Sequence, residues 1–512
     1  MIIDIEFKEL EKLLKTKASL EQVIGALDMY GTPIDSVEGD VLRVEVSPNR
    51  MDMLCPEGVA RALNGFLGAE TGYPIWRTGP SGFDVQVDRS EIRPYLSFSA
   101  VLKSHISREA VKSLMQMQEK LHATVGRDRK KYSIGVYDLD KIKPPIMFKE
   151  LPLKKINFTP LDESSDMNGK EILKSNEKGK AYAHLVGKNK APALMDSEGQ
   201  IISMPPIVNA DFCKVTSQTK NFFIDSTGTV PGTDEIAAIV ATAIVERGGS
   251  LGVTLPGPSY LPRRMKINNN YMSKMIGIDL DKDTLKDNLA RMRIGFDDEA
   301  LIPPYRLDLF GQIDLAEEVA IAQGYQNFEG AIPHSYSLGE PLEVRTLESE
   351  VRKLMTGFGF LELKTFMLTA PMLLNLAGPY ELQVSNPKSN EYSALRQSML
   401  PGIFEVLSLN KDADYPQRVF EVGTVFKPSE ETRLAGLVVH NQASFAEIKA
   451  VVDRLVSALS VEIKWNPGDH QFFMSGRTAV SEIGVYGEVF PGISERVGMP
   501  VAGFEINLER IL

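Results

Sequence analysis

Four carboxylates, Asp308, Asp314, Glu317 and Glu318, fall within eleven residues of the run Pro303-Pro304-Tyr305-Arg306-Leu307-Asp308-Leu309-Phe310-Gly311-Gln312-Ile313-Asp314-Leu315-Ala316-Glu317-Glu318-Val319. Donors that are all oxygen favour a hard cation, Mg²⁺ or Ca²⁺, over Zn²⁺. Mg²⁺ keeps several waters and takes only one or two protein carboxylates directly, so four acids around one ion would include supporting members. The same residues can instead serve the backbone. Asp314 with Glu317 three residues later is close to a capping box, and acids in a first turn complement the helix dipole. The two roles are compatible, and spacing alone leaves both open.

The elements that must position these acids can be read around them. Two prolines and the alternation of Tyr305, Leu307 and Leu309 predict an extended segment, a strand that Asp308 ends. Leu315, Val319 and Ala322 recur at helical spacing until Gly324 stops the helix. At about 100° per residue, Asp314, Glu317 and Glu318 occupy roughly a third of the helix circumference.

The chain of 512 residues exceeds one hydrophobic core, so three or four domains are expected. Its 43% hydrophobic and 24% charged residues are those of a soluble globular protein. No apolar run approaches membrane-spanning length, and the start Met1-Ile2-Ile3-Asp4-Ile5-Glu6 lacks a signal-peptide layout, so a cytoplasmic location is expected. Cys55 and Cys213 have no Cys-x-x-Cys partner, which argues against a disulfide framework or a zinc site. None of His105, His122, His184, His334, His440 and His470 pairs at metal-ligand spacing. His184 could border a pocket, but a lone histidine in a strand is more often structural. The net charge of −11 excludes a general nucleic-acid coat. Residues 101–200 nevertheless hold 19 Lys/Arg against 13 Asp/Glu, including Arg127, Arg129, Lys130 and Lys131. A solvated face and a nucleic-acid contact both fit such a stretch.

Four blocks follow along the chain. The first, to about Gly72, reads as strand Met1–Phe7, helix Leu20–Tyr30, strand Val41–Val46 and helix Pro56–Leu67, with Asp52 as its cap residue. A linker is expected between Gly72 and Gly82. The second, ending at Pro256-Gly257-Pro258, mixes strands Ser97–Val101 and Tyr132–Tyr137 with helices Glu109–His122 and Asp234–Glu246. The third holds helices near Asn269–Met275 and Lys282–Met292 and the carboxylate run. The fourth opens with a helix, Leu342–Thr356, and includes another at Phe445–Leu459.

Several motifs stand in collinear order. They are Glu45-Val46-Ser47-Pro48-Asn49-Arg50-Met51-Asp52; Ile134-Gly135-Val136-Tyr137-Asp138; Pro205-Pro206-Ile207-Val208-Asn209 with Ile224-Asp225-Ser226-Thr227-Gly228; the carboxylate run; and Asn386-Pro387 with Leu395-Arg396-Gln397-Ser398-Met399-Leu400-Pro401-Gly402. Together they resemble the β subunit of archaeal and eukaryotic phenylalanyl-tRNA synthetases across the whole chain. One departure is Met51, where that family's motif leads one to expect proline.

The resemblance implies an α+β multidomain fold. Its parts would be an N-terminal αβ domain (1–75), a mixed α/β editing domain (83–257), a small magnesium-site domain of two helix–strand repeats (260–335), and a C-terminal class II synthetase-like antiparallel sheet domain with helices (342–512). It implies Mg²⁺ at Asp308, Asp314, Glu317 and Glu318, in a structural or interface role. It also implies a pocket that hydrolyses tRNA mis-charged with tyrosine, with Leu194, Ser203, Asp225 and Thr227 as its lining and Asn209 as a neighbour. Asp225 and Thr227, two apart, could point the same way from a strand, or satisfy turn amides at a strand end. No catalytic residue for aminoacylation is expected on this chain. An α subunit would hold that site and use ATP, with tRNA for phenylalanine as the shared partner and two α and two β chains as the family's usual assembly.

The C-terminal block supports that division of labour. Gly357-Phe358-Gly359-Phe360 fits a helix C-cap better than an ATP motif. Arg418-Val419-Phe420-Glu421 resembles a worn copy of the ATP-gripping arginine motif, with Arg and Glu one residue further apart than in the active form. Leu342–Leu368 is a candidate for subunit contact. A noncatalytic tRNA- or protein-binding scaffold, or a free-standing deacylase, would reuse the same domains.

Overall fold

The computed structural model describes every residue except Tyr336 and Glu381. The chain forms two compact units, Met1–Ala331 and Ile332–Leu512.

The first unit opens with a three-stranded antiparallel sheet in which Val41–Glu45 lies between Ile2–Glu6 and Ile34–Glu38. Helices Phe7–Leu13, Leu20–Met29 and Pro56–Phe66 accompany it. The first of these helices and the strand Ile34–Glu38 are additions to the sequence reading. Ser19 and Gln22 close a capping box at the start of the second helix. Asp52 caps nothing. It sits in a 3₁₀ turn, Met51–Met53, with both oxygens held by Arg50 at 2.9 Å. The helix after it starts instead at Cys55 with Pro56 in its first turn, a position where the missing N–H costs no hydrogen bond. Gly58 in that helix packs so closely on the Asp52 and Met53 backbone that a Cβ would collide with it.

Two five-stranded sheets carry the next block. One runs in the order Thr78–Pro80, Ser250–Val253, Tyr95–Leu102, Phe222–Gly228, Tyr132–Asp138. The other runs Val208–Asn209, Ile201–Met204, Lys190–Met195, Ile146–Pro152, Val85–Val87. The expected linker at 72–82 is instead packed. The Gly72 amide donates to the Ala290 carbonyl, the Tyr73 hydroxyl donates to that of Tyr260, and Thr78–Pro80 is an edge strand.

The third block is a three-stranded antiparallel sheet, with Glu299–Ile302 between Arg263–Lys266 and Gly295–Asp297, and helices Asn269–Ile276, Lys282–Arg291 and Gln312–Gln323. This corrects the expected pair of helix–strand repeats. Residues 303–311 are irregular rather than a strand, because Pro303 and Pro304 have no N–H to give a ladder and the Arg306 amide turns back to the Pro303 carbonyl at 3.1 Å. One hydrophobic core runs through all three blocks, from Ile3 and Leu63 through Val101 and Ile239 to Leu289 and Val319.

The second unit is built on a seven-stranded sheet whose central order is Gln417–Phe426, Glu430–Val439, Val501–Asn507, Gly484–Val489, Phe473–Val480, all antiparallel. The short strand Leu361–Glu362 adds parallel to Gln417–Phe426 at one edge, and Asn466–Pro467 closes the other. Helices Glu343–Gly357 and Phe445–Ala458 share a core with the sheet, through Val351, Met355 and Val452. The first of them ends as the sequence suggests. Phe360 N–H reaches back to the Met355 carbonyl, and Gly359 takes φ +85°, the left-handed region that favours glycine. No helix among the described residues is long and apolar enough to cross a membrane.

Candidate functional site

A cavity of about 400 Å³ lies in the first unit where the two five-stranded sheets meet. That is toward the small end of the roughly 300–1,000 Å³ common for small-molecule sites. Strand Tyr132–Asp138 contributes Gly135 and Tyr137, strand Phe222–Gly228 contributes Asp225, and the other sheet contributes Ser203 and Asn209. Asp225 pairs across the ladder with Gly135, the position where a side chain would meet both the Asp225 carboxylate and the Tyr137 hydroxyl. The glycine therefore leaves room for the polar groups.

These groups form a chain across the sheets. The Tyr137 hydroxyl donates to Asp225 Oδ1 and lies 3.2 Å from Asn209 Oδ1, and the Ser203 hydroxyl donates to that same Asn209 oxygen at 3.0 Å. Burial pushes the Asp225 carboxyl up to about 7, against the opposing pull of the Tyr137 hydrogen bond and the Arg93 charge. Burial, with Asp225 beside it, also raises Tyr137 well above the usual phenol range, so it stays a donor. Asp225 thus changes charge near neutrality at the end of a mostly apolar cavity. Cys213 lines the wall too, but burial pushes its thiol up to about 12, and it is not a thiolate nucleophile.

The opposite wall comes from helix Arg108–Ala123 and the loop after it: Gln118, Glu119, His122 and Arg129. Arg129 donates to Glu119 at 2.9 Å and to the carbonyls of Pro206 and Ile207 at 3.2 and 2.8 Å. The His122 Nε2 accepts from the Ile134 amide at 2.9 Å, and burial holds its pKa below the ordinary value. The ring is neutral.

Of the residues expected in the pocket, Ser203 and Asp225 line this cavity and Asn209 joins them. Leu194 and Thr227 do not. Leu194 pairs with Ser203 in the ladder and shares its face of the sheet, but it is fully buried in the apolar core and does not reach the cavity. Thr227 shares the face of Asp225 but its hydroxyl and carbonyl accept from Arg93 at 3.2 and 2.6 Å. His184 is exposed and outside the lining. Tyr137 could have been found in the sequence, since it alternates with Gly135 on one predicted strand. The Glu119, His122 and Arg129 group had only helical spacing and a basic run to betray it.

The four acids of the carboxylate run separate. Arg306, buried to 3% exposure, takes Asp308 in a two-pronged pair at 2.9 and 2.8 Å and Glu318 at 2.9 and 2.7 Å. Burial alone would lower the arginine's pKa, yet Glu318 and Asp308 hold it well above its usual value. Asp314 Oδ2 accepts the Phe310 and Gly311 amides at 2.7 and 2.8 Å, which is the capping role, and Glu317 is exposed. Among the described residues no group of three His, Cys, Asp or Glu is arranged to hold a metal ion. A common four-carboxylate Mg²⁺ site does not fit this arrangement, because two of the acids are already neutralised by Arg306 and a third is committed to backbone amides.

In the second unit, Arg418 and Glu421 cannot act together. Three apart on a strand, they face opposite sides. Arg418 pairs with Glu447 at 2.8 Å, while the buried Glu421 accepts from Arg396 at 2.8 Å and from the Thr365 hydroxyl at 2.6 Å. Glu505, also buried, accepts the Met399 amide at 3.1 Å and the Ser398 hydroxyl.

Comparison with known proteins identifies the family of the chain and two of its domains. Residues 265–325 match the tRNA synthetase B5 domain, and residues 331–508 match the phenylalanyl tRNA synthetase beta chain CLM domain. The fold is therefore that of an aminoacyl-tRNA synthetase subunit with B5 and CLM domains. The chain is 34% identical to the phenylalanine–tRNA ligase beta subunit of Methanocaldococcus jannaschii, over 99% of this chain and 100% of that one. It is 35% identical to that of Archaeoglobus fulgidus, over 99% and 98%. An N-terminal fragment of the phenylalanyl-tRNA synthetase beta-subunit from Pyrococcus horikoshii superimposes with a TM-score of 0.59 at 33% identity, covering 63% of this chain and 99% of the fragment. The chain belongs to the phenylalanine–tRNA ligase beta subunit family, in its archaeal form.

Proposed function

We propose that the cavity ending in Asp225, Tyr137, Asn209 and Ser203 hydrolyses tRNA for phenylalanine that carries tyrosine by mistake. The observation that carries this reading is a buried, mainly apolar cavity closed by a hydroxyl-binding polar chain. An apolar phenylalanine site rejects an added hydroxyl only weakly, whereas a site built to hydrogen-bond that hydroxyl discriminates strongly. Ionised Asp225 would accept from the tyrosyl hydroxyl, and phenylalanine would leave the polar chain unpaired. A water held beside the ester, oriented by the wall groups and by the tRNA's own hydroxyls, would attack it. No side-chain nucleophile is needed. Leu194 and Thr227 adjoin this pocket on the same sheet faces without lining it.

Synthesis of phenylalanyl-tRNA, with ATP, belongs to an α partner in this reading, in a cytoplasmic complex of two α and two β chains. The separation of Arg418 from Glu421 supports it, as the arginine motif has lost its shared face. The domains are proposed as 1–75, 83–257, 260–335 and 342–512. Mg²⁺ gains no support from the carboxylate run, whose proposed role is to lock residues 303–318 through Arg306.

The test is the reconstituted α–β pair. Charging should require both chains, and tyrosyl-tRNA for phenylalanine should be deacylated, with Ser203→Ala and Asp225→Ala slowing deacylation but not charging. Undiminished deacylation in both variants would place the site elsewhere, and charging without this chain would favour a scaffold.

A further inference from the structure

The loop Gly126–Lys131 joins the helix of the cavity wall to the strand that carries Gly135 and Tyr137. Arg127, Asp128 and Arg129 take φ of 46°, 53° and 63°, three successive non-glycine residues in the left-handed region. Such a residue costs of order 1–3 kcal/mol and persists only where the surroundings impose it. Here backbone bonds to His122 and Thr229 hold the loop together with the side chain of Arg93, only 1% exposed. Its guanidinium donates to the carbonyls of Arg129 and Lys130 at 3.1 and 3.0 Å on one side, and to Thr227 on the other. All of these acceptors are uncharged. Burial brings Arg93 down to about 10, with the Asp225 charge opposing the fall. A buried arginine bonded only to neutral oxygens is costly, so the loop shape it enforces has a use.

That shape turns one cation inward and leaves three outward. Arg129 is buried in the cavity wall against Glu119, while Arg127 and Lys130 are exposed and Lys131 is half-buried. Of the loop's cations, only Arg129 is ion-paired among the described residues. Lys178 adds a further cation on the cavity lining. In a chain of net charge −11, this places unpaired positive charge on the same loop that supplies Arg129 to the cavity wall.

We propose that Arg127, Lys130 and Lys131 bind the phosphodiester backbone of the RNA 3′ end at the mouth of the cavity, and that Arg93 is the positioning residue that sets their loop. This rests on the deacylation reading for the purpose of the site, but not for its chemistry. Backbone contacts of this kind fix where a strand lies without reading its sequence.

The experiment measures binding of a fluorescent acceptor-stem RNA ending in a single-stranded 3′ tail to the intact α–β complex, across a salt series. For Arg127→Gln/Lys130→Gln/Lys131→Gln the slope of log affinity against log salt should fall by about 2, from about 0.7 per single-stranded phosphate contact. Affinity at moderate salt should drop at least tenfold. In deacylation, KM should rise several times more than kcat falls. Arg93→Gln should reproduce part of the KM effect with all three cations present, and Arg93→Lys should not rescue it, since an ammonium cannot span both carbonyls and Thr227. Unchanged affinity and salt slope in the triple variant would overturn the proposal, even if Arg93 variants fail to fold. Weakened binding in a complex that never deacylates would leave this proposal standing and remove the editing reading.

Discussion

Replacing Asp225 by Asn should make the protein more stable at alkaline pH, and the effect can be sized from the buried carboxyl. Asp225 has a pKa of about 7 in the folded chain, against an ordinary aspartate value of 3.8. An acid raised in this way binds its proton more tightly when folded. Its penalty is absent below the unfolded pKa, grows as pH rises between about 4 and 7, and is constant above. Each tenfold change in proton affinity is worth about 1.4 kcal/mol, so the roughly thousandfold difference between folded and unfolded chains amounts to about 4 kcal/mol. About 3 kcal/mol of it should appear between pH 5 and pH 8. Asn keeps the acceptor that Tyr137 needs and cannot ionise, so any cost of its unpaired amide hydrogens is the same at every pH.

Urea unfolding of wild type and Asp225→Asn at steps from pH 5 to 8 measures this, because subtracting the two proteins cancels every other titrating group. The variant should gain about 3 kcal/mol on the wild type across that range, with the gain levelling off above about pH 7. A flat difference would show that solvent or a partner relieves the burial of Asp225, and the reasoning would fail. A difference of the opposite sign would mean that Tyr137 and Arg93 outweigh desolvation. The same ionisation should appear in deacylation as a rate that climbs with pH through about 7 and is lost in the Asn variant.

Gly135→Ala should abolish most deacylation without affecting charging, because its methyl would overlie the Tyr137 hydroxyl and the Asp225 carboxylate; an active variant would show that the cavity is not the site. Glu318→Gln should cost roughly 3–5 kcal/mol in unfolding experiments by leaving Arg306 half-paired, and the loss should be equal with Mg²⁺ or with EDTA. A cost that Mg²⁺ modulates would restore the shared-ion reading of the four acids. Asp314→Ala should cost only about 1 kcal/mol, the scale of a lost helix cap.

The sequence showed four elements of the first block and two helices of the last within a residue or two, because their apolar periodicity is regular, while it missed helix Phe7–Leu13 and strand Ile34–Glu38 and gave no bounds to the strands of the last block. It misplaced 303–311, where the prolines offer no N–H to a ladder and the Arg306 amide turns back to the Pro303 carbonyl, and it did not show the side-chain pairing of Arg306 with Asp308. A spacing rule has no means of seeing that an arginine two residues before an acid will fold back onto it. The packed segment at 72–82 was equally hidden: its glycines and prolines read as a linker, and its contacts come from residues near 250–290.

The pocket residues show the same limit in a sharper form. Alternation on the strand Phe222–Gly228 correctly put Asp225 and Thr227 on one face, but a face is not a role. Asp225 lies across from Gly135, where the absent side chain opens space toward the other sheet. Thr227 lies across from Ser133, one step nearer the loop, where Arg93 reaches it from a different part of the chain. What separates a pocket wall from a loop anchor is thus a long-range arginine and a missing Cβ on the neighbouring strand. If that account holds, Thr227→Val should weaken RNA binding through the loop more than it weakens recognition of the tyrosyl hydroxyl. Ser203→Ala should do the reverse. Equal effects of both variants on both measurements would merge the two roles into one pocket.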